Sequence, residues 1–173
     1  MRKSRHGIYC LEVGEWFGSL TKKDSVEPVL QLLHDSPLSV PYIHRDIATD
    51  VEFRYYLAKW TQSRHSSYPI LYLAFHGSPG CIHVFKENGR TAELATEDLL
   101  TMLRGKCNRR LIHFGGCSVL NMHGNTLNRY LRESGAIAVS GYTKDVDWIK
   151  SAVFEMLYLG ELQERQITKT GMR

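Results

Sequence analysis

Arg109-Arg110-Leu111-Ile112-His113-Phe114-Gly115-Gly116-Cys117-Ser118-Val119-Leu120 is an apolar run that stops at two glycines and then presents a thiol. The run has the composition of a buried strand, and the glycines allow the sharp exit that a strand-to-loop turn requires. They also keep side chains clear of anything bound above the sulfur. Upstream, Pro69-Ile70-Leu71-Tyr72-Leu73-Ala74-Phe75-His76-Gly77 repeats the design, with an imidazole before the glycine. In an open parallel sheet the ligand crevice lies beyond the carboxyl ends of the strands, so both strands deliver their reactive residue to one place. A thiol meeting an imidazole there is a cysteine nucleophile with its base.

The surrounding pattern alternates strand and helix. Gly7 to Val13 reads as a strand, followed by a loop holding Gly14 and Gly18. Asp24 and Glu27 predict the start of a helix whose apolar face is Val26, Val29, Leu30 and Leu33. Pro37 and Pro41 precede a strand at Tyr42 to Ile47, and Thr49 with Glu52 forms the capping box of a helix that runs to about Arg64. After the strand at Ile70 to Phe75, Cys81 to Phe85 and Thr91 to Leu94 flank Asn88-Gly89, the signature of a small β-hairpin. Helices are expected at Thr96 to Arg104, Thr126 to Glu133 and Trp148 to Leu159, with a fifth strand at Ala136 to Ser140. Strands that alternate with helices predict an α/β fold in three layers, a mostly parallel sheet covered on both faces. No repeat, linker or low-complexity stretch divides residues 1–173, so one domain is expected.

Composition narrows the function. The chain of 173 residues is 43% hydrophobic and 23% charged, enough to bury a core without disulfides or metals. Its net charge of +4 is scattered, with Lys22-Lys23 and Arg109-Arg110 the notable pairs, which is too sparse for a nucleic-acid footprint. Glu12 and Glu15 interrupt any apolar signal segment after the basic start, and no membrane span is read, so the cytoplasm is expected. The four cysteines, Cys10, Cys81, Cys107 and Cys117, lack the close pairing of metal knuckles and are expected reduced. No metal or other cofactor is expected, and no GxGxxG or GxxxxGKS loop follows the first strand.

Most free cysteines are small buried apolar residues, and that account suits Cys10, Cys81 and Cys107. Cys117 differs in following two glycines at a strand end, beside a helix start whose dipole favours the thiolate. Among the histidines, His6, His34, His44 and His65 read as surface or packing residues, His83 as part of the hairpin and His113 as a sheet-face residue. His123, six positions after Cys117, competes with His76 for the role of base. His76 is preferred because Phe-His-Gly at a strand end is the better-defined scaffold.

A strand ending in His-Gly, then a hairpin and helix, then a strand ending in a small residue followed by Cys, resembles the caspase-like cysteine peptidases of clan CD. That group includes metacaspases, legumains, gingipains, separases and the bacterial CHAT domains. The likeness covers Gly7 to Leu162, and His76 precedes Cys117 by 41 positions, against about 50 in caspases. It implies a caspase-like fold with His76 as catalytic histidine, Cys117 as nucleophile and the amides of Gly77 and Cys117 as oxyanion hole. It also implies cleavage of protein or peptide substrates in bacterial regulated proteolysis or defence, with a regulatory protein partner. Ser140-Gly141-Tyr142 through Asp147-Trp148 is most similar to the CHAT branch, in which, as in separases, an acidic residue here selects Arg or Lys before the cut bond. Asp145 and Asp147 are the candidates, although either also suits the N-cap of the last helix. Two departures stand out: Ser rather than Arg follows Cys117, and Gly115 replaces the acidic residue that metacaspases carry there. The alternative is a catalytically inactive domain of the same architecture that serves as a regulatory or scaffold subunit.

Overall fold

The computed structural model describes residues 5–17, 19, 21, 24–122, 125–168, 170 and 171. Five strands form the central sheet: β1 (Ile8–Val13), β2 (Tyr42–Ile47), β3 (Ile70–Ala74), β7 (Leu111–Phe114) and β8 (Ala138–Gly141). Their spatial order is β2-β1-β3-β7-β8, and every pairing is parallel. Between β3 and β7 lie β4 (Gly77–Ser78), β5 (Cys81–Phe85) and β6 (Thr91–Ala95), an antiparallel sheet of three strands. The expected hairpin is β5 with β6. Gly77-Ser78 adds a strand that the sequence does not announce, because two residues carry no periodicity.

Helices α1 (Glu27–Asp35) and α5 (Trp148–Glu161) cover one face, and α2 (Asp50–Trp60), α3 (Thr96–Leu103) and α4 (Thr126–Ser134) cover the other. Strand alternation assigns the side chains to the two cores. Leu71, Leu73 and Phe75 join Phe53, Leu57, Trp60, Leu99 and Leu103, whereas Ile70, Tyr72 and Ala74 join Val26, Leu30, Leu33 and Leu159. Both faces of β1, β3 and β7 are therefore buried, which is why those strands read as continuous apolar runs. The outward face of α5 leaves Ile149, Val153, Phe154 and Leu157 exposed.

Several boundaries differ from the sequence expectation for local reasons. Helix α1 is not capped by Asp24: Val26 N donates to the Glu12 carboxylate at 2.7 Å, Glu27 N donates to Ser25 Oγ at 3.0 Å, and Pro28 in the first turn needs no acceptor. The Thr49 cap is present, with Glu52 N donating to Thr49 Oγ1 at 3.3 Å and Glu52 Oε2 accepting from Ala48 N. Helix α2 stops at Trp60 rather than Arg64, followed by a 3₁₀ turn at Ser63–His65. Gly135, at φ 77, closes α4 in the left-handed conformation that favours glycine. No helix of the described residues is long and apolar enough to cross a membrane.

Candidate active site

Strands β3 and β7 are adjacent and in register, Leu73 beside Phe114, so the residues that follow them leave the same edge of the sheet side by side. His76 is exposed and Cys117 half-buried there. The glycines make this closeness possible. A Cβ on Gly77 would lie 2.3 Å from Val119 Cγ2 and 2.8 Å from the Cys117 carbonyl oxygen, and one on Gly116 would lie 2.7 Å from the Phe75 carbonyl oxygen. A Cβ on Gly115 would lie 2.8 Å from the Tyr72 ring and 3.0 Å from Glu155 Oε1. The glycines thus let two strand ends touch, and clearance above the sulfur is not their main effect. Gly80 N donates to Val119 O at 3.1 Å and ties the hairpin to the same loop.

His76 Nε2 lies 2.6 Å from the Trp16 carbonyl oxygen, with the two rings edge to face at 4.9 Å. A carbonyl only accepts, so Nε2 carries a proton, and of the two neutral tautomers this contact selects the one with its lone pair on Nδ1. The orienting group is therefore a backbone oxygen, and no carboxylate side chain is needed for it. Trp16 is in turn fixed by Glu12, which is fully buried. Its carboxylate accepts from Trp16 Nε1 at 2.5 Å, Val26 N at 2.7 Å, Ser25 Oγ at 2.7 Å and His44 Nε2 at 2.6 Å. His44 is thus a partner of a buried carboxylate rather than a surface residue. Burial alone would lower its pKa, but the hydrogen bond and charge of Glu12, with Glu27 and Asp46 nearby, raise it above the ordinary histidine value.

Around Cys117 the loop after β8 closes from the other side. Val146 N donates to Sγ at 3.5 Å, and Sγ lies 3.7 Å from Val146 O. Ser118, at the left-handed φ of 55, donates from N to Lys144 O at 3.2 Å and from Oγ to Asp145 Oδ1 at 2.7 Å. Asp147 caps α5, its carboxylate accepting from Lys150 N at 3.0 Å. Cys10, Cys81 and Cys107 lie elsewhere, and burial pushes their thiols up, Cys107 to about 12. All four cysteines are free. His123, like Gly18 and the Lys22-Lys23 pair, lies outside the described residues.

His76 and Cys117 line one cleft of about 410 Å³. Trp16, Phe75, Tyr72, Val146 and Trp148 give it largely apolar walls, and its acidic residues are Asp147 and Glu155. Asp145, turned to Ser118, is not among the lining residues. Glu155 was no candidate from sequence. It is 2% exposed, accepts from the Tyr72 and Tyr142 hydroxyls, and has His113 Nε2 at 3.6 Å. Burial first and the Glu155 charge second raise the pKa of both tyrosines, so they remain neutral donors to it.

A thiol and an imidazole of fixed tautomer that share a cleft with apolar walls and a carboxylate floor can perform acyl transfer on a chain bound across them. No curated protein matches the chain. The profile of a family of unknown function, DUF6642, matches residues 5–170, and the chain belongs to that family.

Proposed function

We propose that the protein is a caspase-like cysteine endopeptidase in which Cys117 is the nucleophile and His76 the general acid–base. The observation that carries this reading is the convergence of His76 and Cys117, from adjacent parallel strands, on one cleft. The Cys117 thiol gives its proton to Nδ1 of His76, and the thiolate attacks the scissile carbonyl carbon, forming a C–S bond and an oxyanion that the Gly77 and Cys117 amides stabilise. As the C–N bond breaks, His76 gives its proton to the leaving amine. Water, deprotonated by the same imidazole, then hydrolyses the thioester and restores the thiol. The substrate side chain before the cut bond is Arg or Lys, because its aliphatic stem suits the aromatic walls and its cation meets Asp147 and Glu155.

The decisive experiment is cleavage of a peptide library by the parent chain, Cys117→Ala and His76→Ala. Cys117→Ala abolishes turnover while melting near the parent temperature, and His76→Ala lowers it by ~10²–10⁴-fold. Full turnover in Cys117→Ala would overturn the assignment. A folded parent that cleaves nothing in the library, with Cys117 no more reactive toward iodoacetamide than Cys81, would favour the inactive regulatory domain.

A further inference from the structure

Helix α5 is apolar on two sides. One side, with Trp148, Ala152 and Glu155, lines the cleft, and Leu159 enters the core beneath it. The other leaves Ile149, Val153, Phe154 and Leu157 each at least half exposed. A helix with apolar residues on opposite sides needs cover on both. Helix α1 does not supply the second, because it meets α5 at Gly160, beside Leu33, on a different side.

The charges on the outer side give the cover a direction. Lys150, Phe154, Leu157 and Glu161 follow one another at spacings of four, three and four, which places them in one stripe along the helix. The stripe is apolar in its middle, cationic at its amino end and acidic at its carboxyl end, and both charges are exposed. The helix dipole favours the reverse, a carboxylate in the first turn and a cation in the last. Helices α1 and α2 follow that rule, with Glu27, Asp50 and Glu52 in their first turns and His34 and Lys59 in their last. Beyond its Asp147 cap, α5 has no acidic residue in its first turn and no basic one in its last. Opposite charges on a second helix would offset this cost at both ends. Phe154 is also held in place: its ring stacks on Tyr158 at 6.0 Å, and the Tyr158 hydroxyl donates to Ser140 Oγ at 2.8 Å. An exposed aromatic fixed by its neighbours loses little freedom when a partner covers it.

We propose that the outer face of α5 is the interface of a homodimer, in which the α5 helices of two copies pack antiparallel about a two-fold axis. Each Lys150 then meets the partner's Glu161, and each Phe154 meets the partner's Leu157. Parallel pairing would set like charges against each other, so the charge pattern selects the antiparallel one. Glu161 lies 3.4 Å from Arg165, but both groups are exposed and the carboxylate can accept a second cation. A stripe that is its own complement suits a second copy of the chain. A helix lying on a membrane would carry cations along its flanks, whereas this stripe ends in a carboxylate. The apolar face matches a small interface, near the low end of the ~1,200–2,000 Å² that specific complexes bury, so the dimer forms reversibly with concentration. No residue of the stripe lines the cleft, and the proposal stands independently of the peptidase reading.

Sedimentation equilibrium of the full chain over roughly 5–500 µM tests it. The parent passes from monomer to dimer across that range. Leu157→Asp, at an exposed position, keeps the circular dichroism of the parent and stays monomeric. Lys150→Glu, which the helix dipole favours, weakens the dimer about tenfold by opposing like charges at both ends. Adding Glu161→Lys to it restores the parent affinity, because the two ends exchange sign together. A parent that stays monomeric throughout would overturn the proposal, and its binding to vesicles of mixed zwitterionic and anionic lipid would assign the face to a membrane instead. A dimer insensitive to Leu157→Asp, or a loss in Lys150→Glu that Glu161→Lys does not reverse, would overturn it equally.

Discussion

Replacing Asp145 by alanine isolates the contact that holds the residue after the nucleophile. Ser118 occupies the left-handed region at φ 55, a conformation that costs a residue with a Cβ ~1–2 kcal/mol. It is held there by Asp145 Oδ1 on its hydroxyl at 2.7 Å and by the Lys144 carbonyl on its amide at 3.2 Å. A hydrogen bond to a charged acceptor contributes ~1.5–3 kcal/mol, and the exposure of Asp145 puts this one at or below the low end, about 1 kcal/mol. Asp145→Ala therefore lowers the melting temperature by roughly 2–4 °C in a domain of this size. In a Ser118→Gly background the same substitution costs nearly nothing, since glycine has no hydroxyl to hold and no Cβ strain to oppose. Four proteins compared by equilibrium urea denaturation give the coupling as a double-mutant cycle. Equal cost of Asp145→Ala in both backgrounds, or none in either, would refute the clamp. The rate of Cys117 alkylation in the same four proteins reports the second consequence: Asp145→Ala changes it when Ser118 is present and leaves it unchanged in the glycine background.

Three further outcomes follow from the geometry. Gly77→Ala destabilises by ~1–3 kcal/mol because its methyl would overlap Val119 and the Cys117 carbonyl, and adding Val119→Ala recovers only part of that loss, as chemical denaturation will show. Glu12→Ala strands three buried or half-buried donors and His44, and costs ~3–5 kcal/mol; a loss below about 1 kcal/mol in the same assay would contradict the role given to Glu12. His44 has a folded pKa above its unfolded value near 6.5, so its stabilisation is complete below that pH and fades as the pH rises through the folded pKa. The melting temperature of the parent accordingly falls on the alkaline side of pH ~6.5 by more than that of His44→Gln, and parallel curves would exclude the linkage.

The parts of this protein that speak through periodicity and punctuation were legible in the sequence. Leu111 to Phe114 and Ile70 to Ala74 are buried on both faces, and continuous apolar runs ended by glycine mark them without ambiguity. The pairing of those strands, and hence the shared cleft, followed from topology. What orients His76 was not legible, because the acceptor is the main-chain oxygen of Trp16 and any residue has one. The function of Gly115 and Gly116 was only half legible: glycine signals close approach without saying what approaches, and here it is the Phe75 carbonyl, the Tyr72 ring and Glu155. Asp147 carried two local signals at once, a cap and a cleft carboxylate, and it occupies both positions.

One signal in the sequence was stronger than its use. A charged residue inside an element that is otherwise apolar must find partners or destabilise the fold, so each such residue marks a place where the chain has built something. Glu12 interrupts Ile8–Val13, Glu155 interrupts the apolar side of α5, and Arg110 stands at the door of β7. The first holds the Trp16 loop against His76, with four donors on one carboxylate. The second forms the cleft floor, with two tyrosine hydroxyls on it and His113 near. Both are answered from within the chain. Arg110 is answered by one carbonyl and an aromatic face, and Nη1 by nothing. Of the three, Arg110 is the one whose burial is met by stacking on the Trp60 ring rather than by a charged or hydroxyl partner.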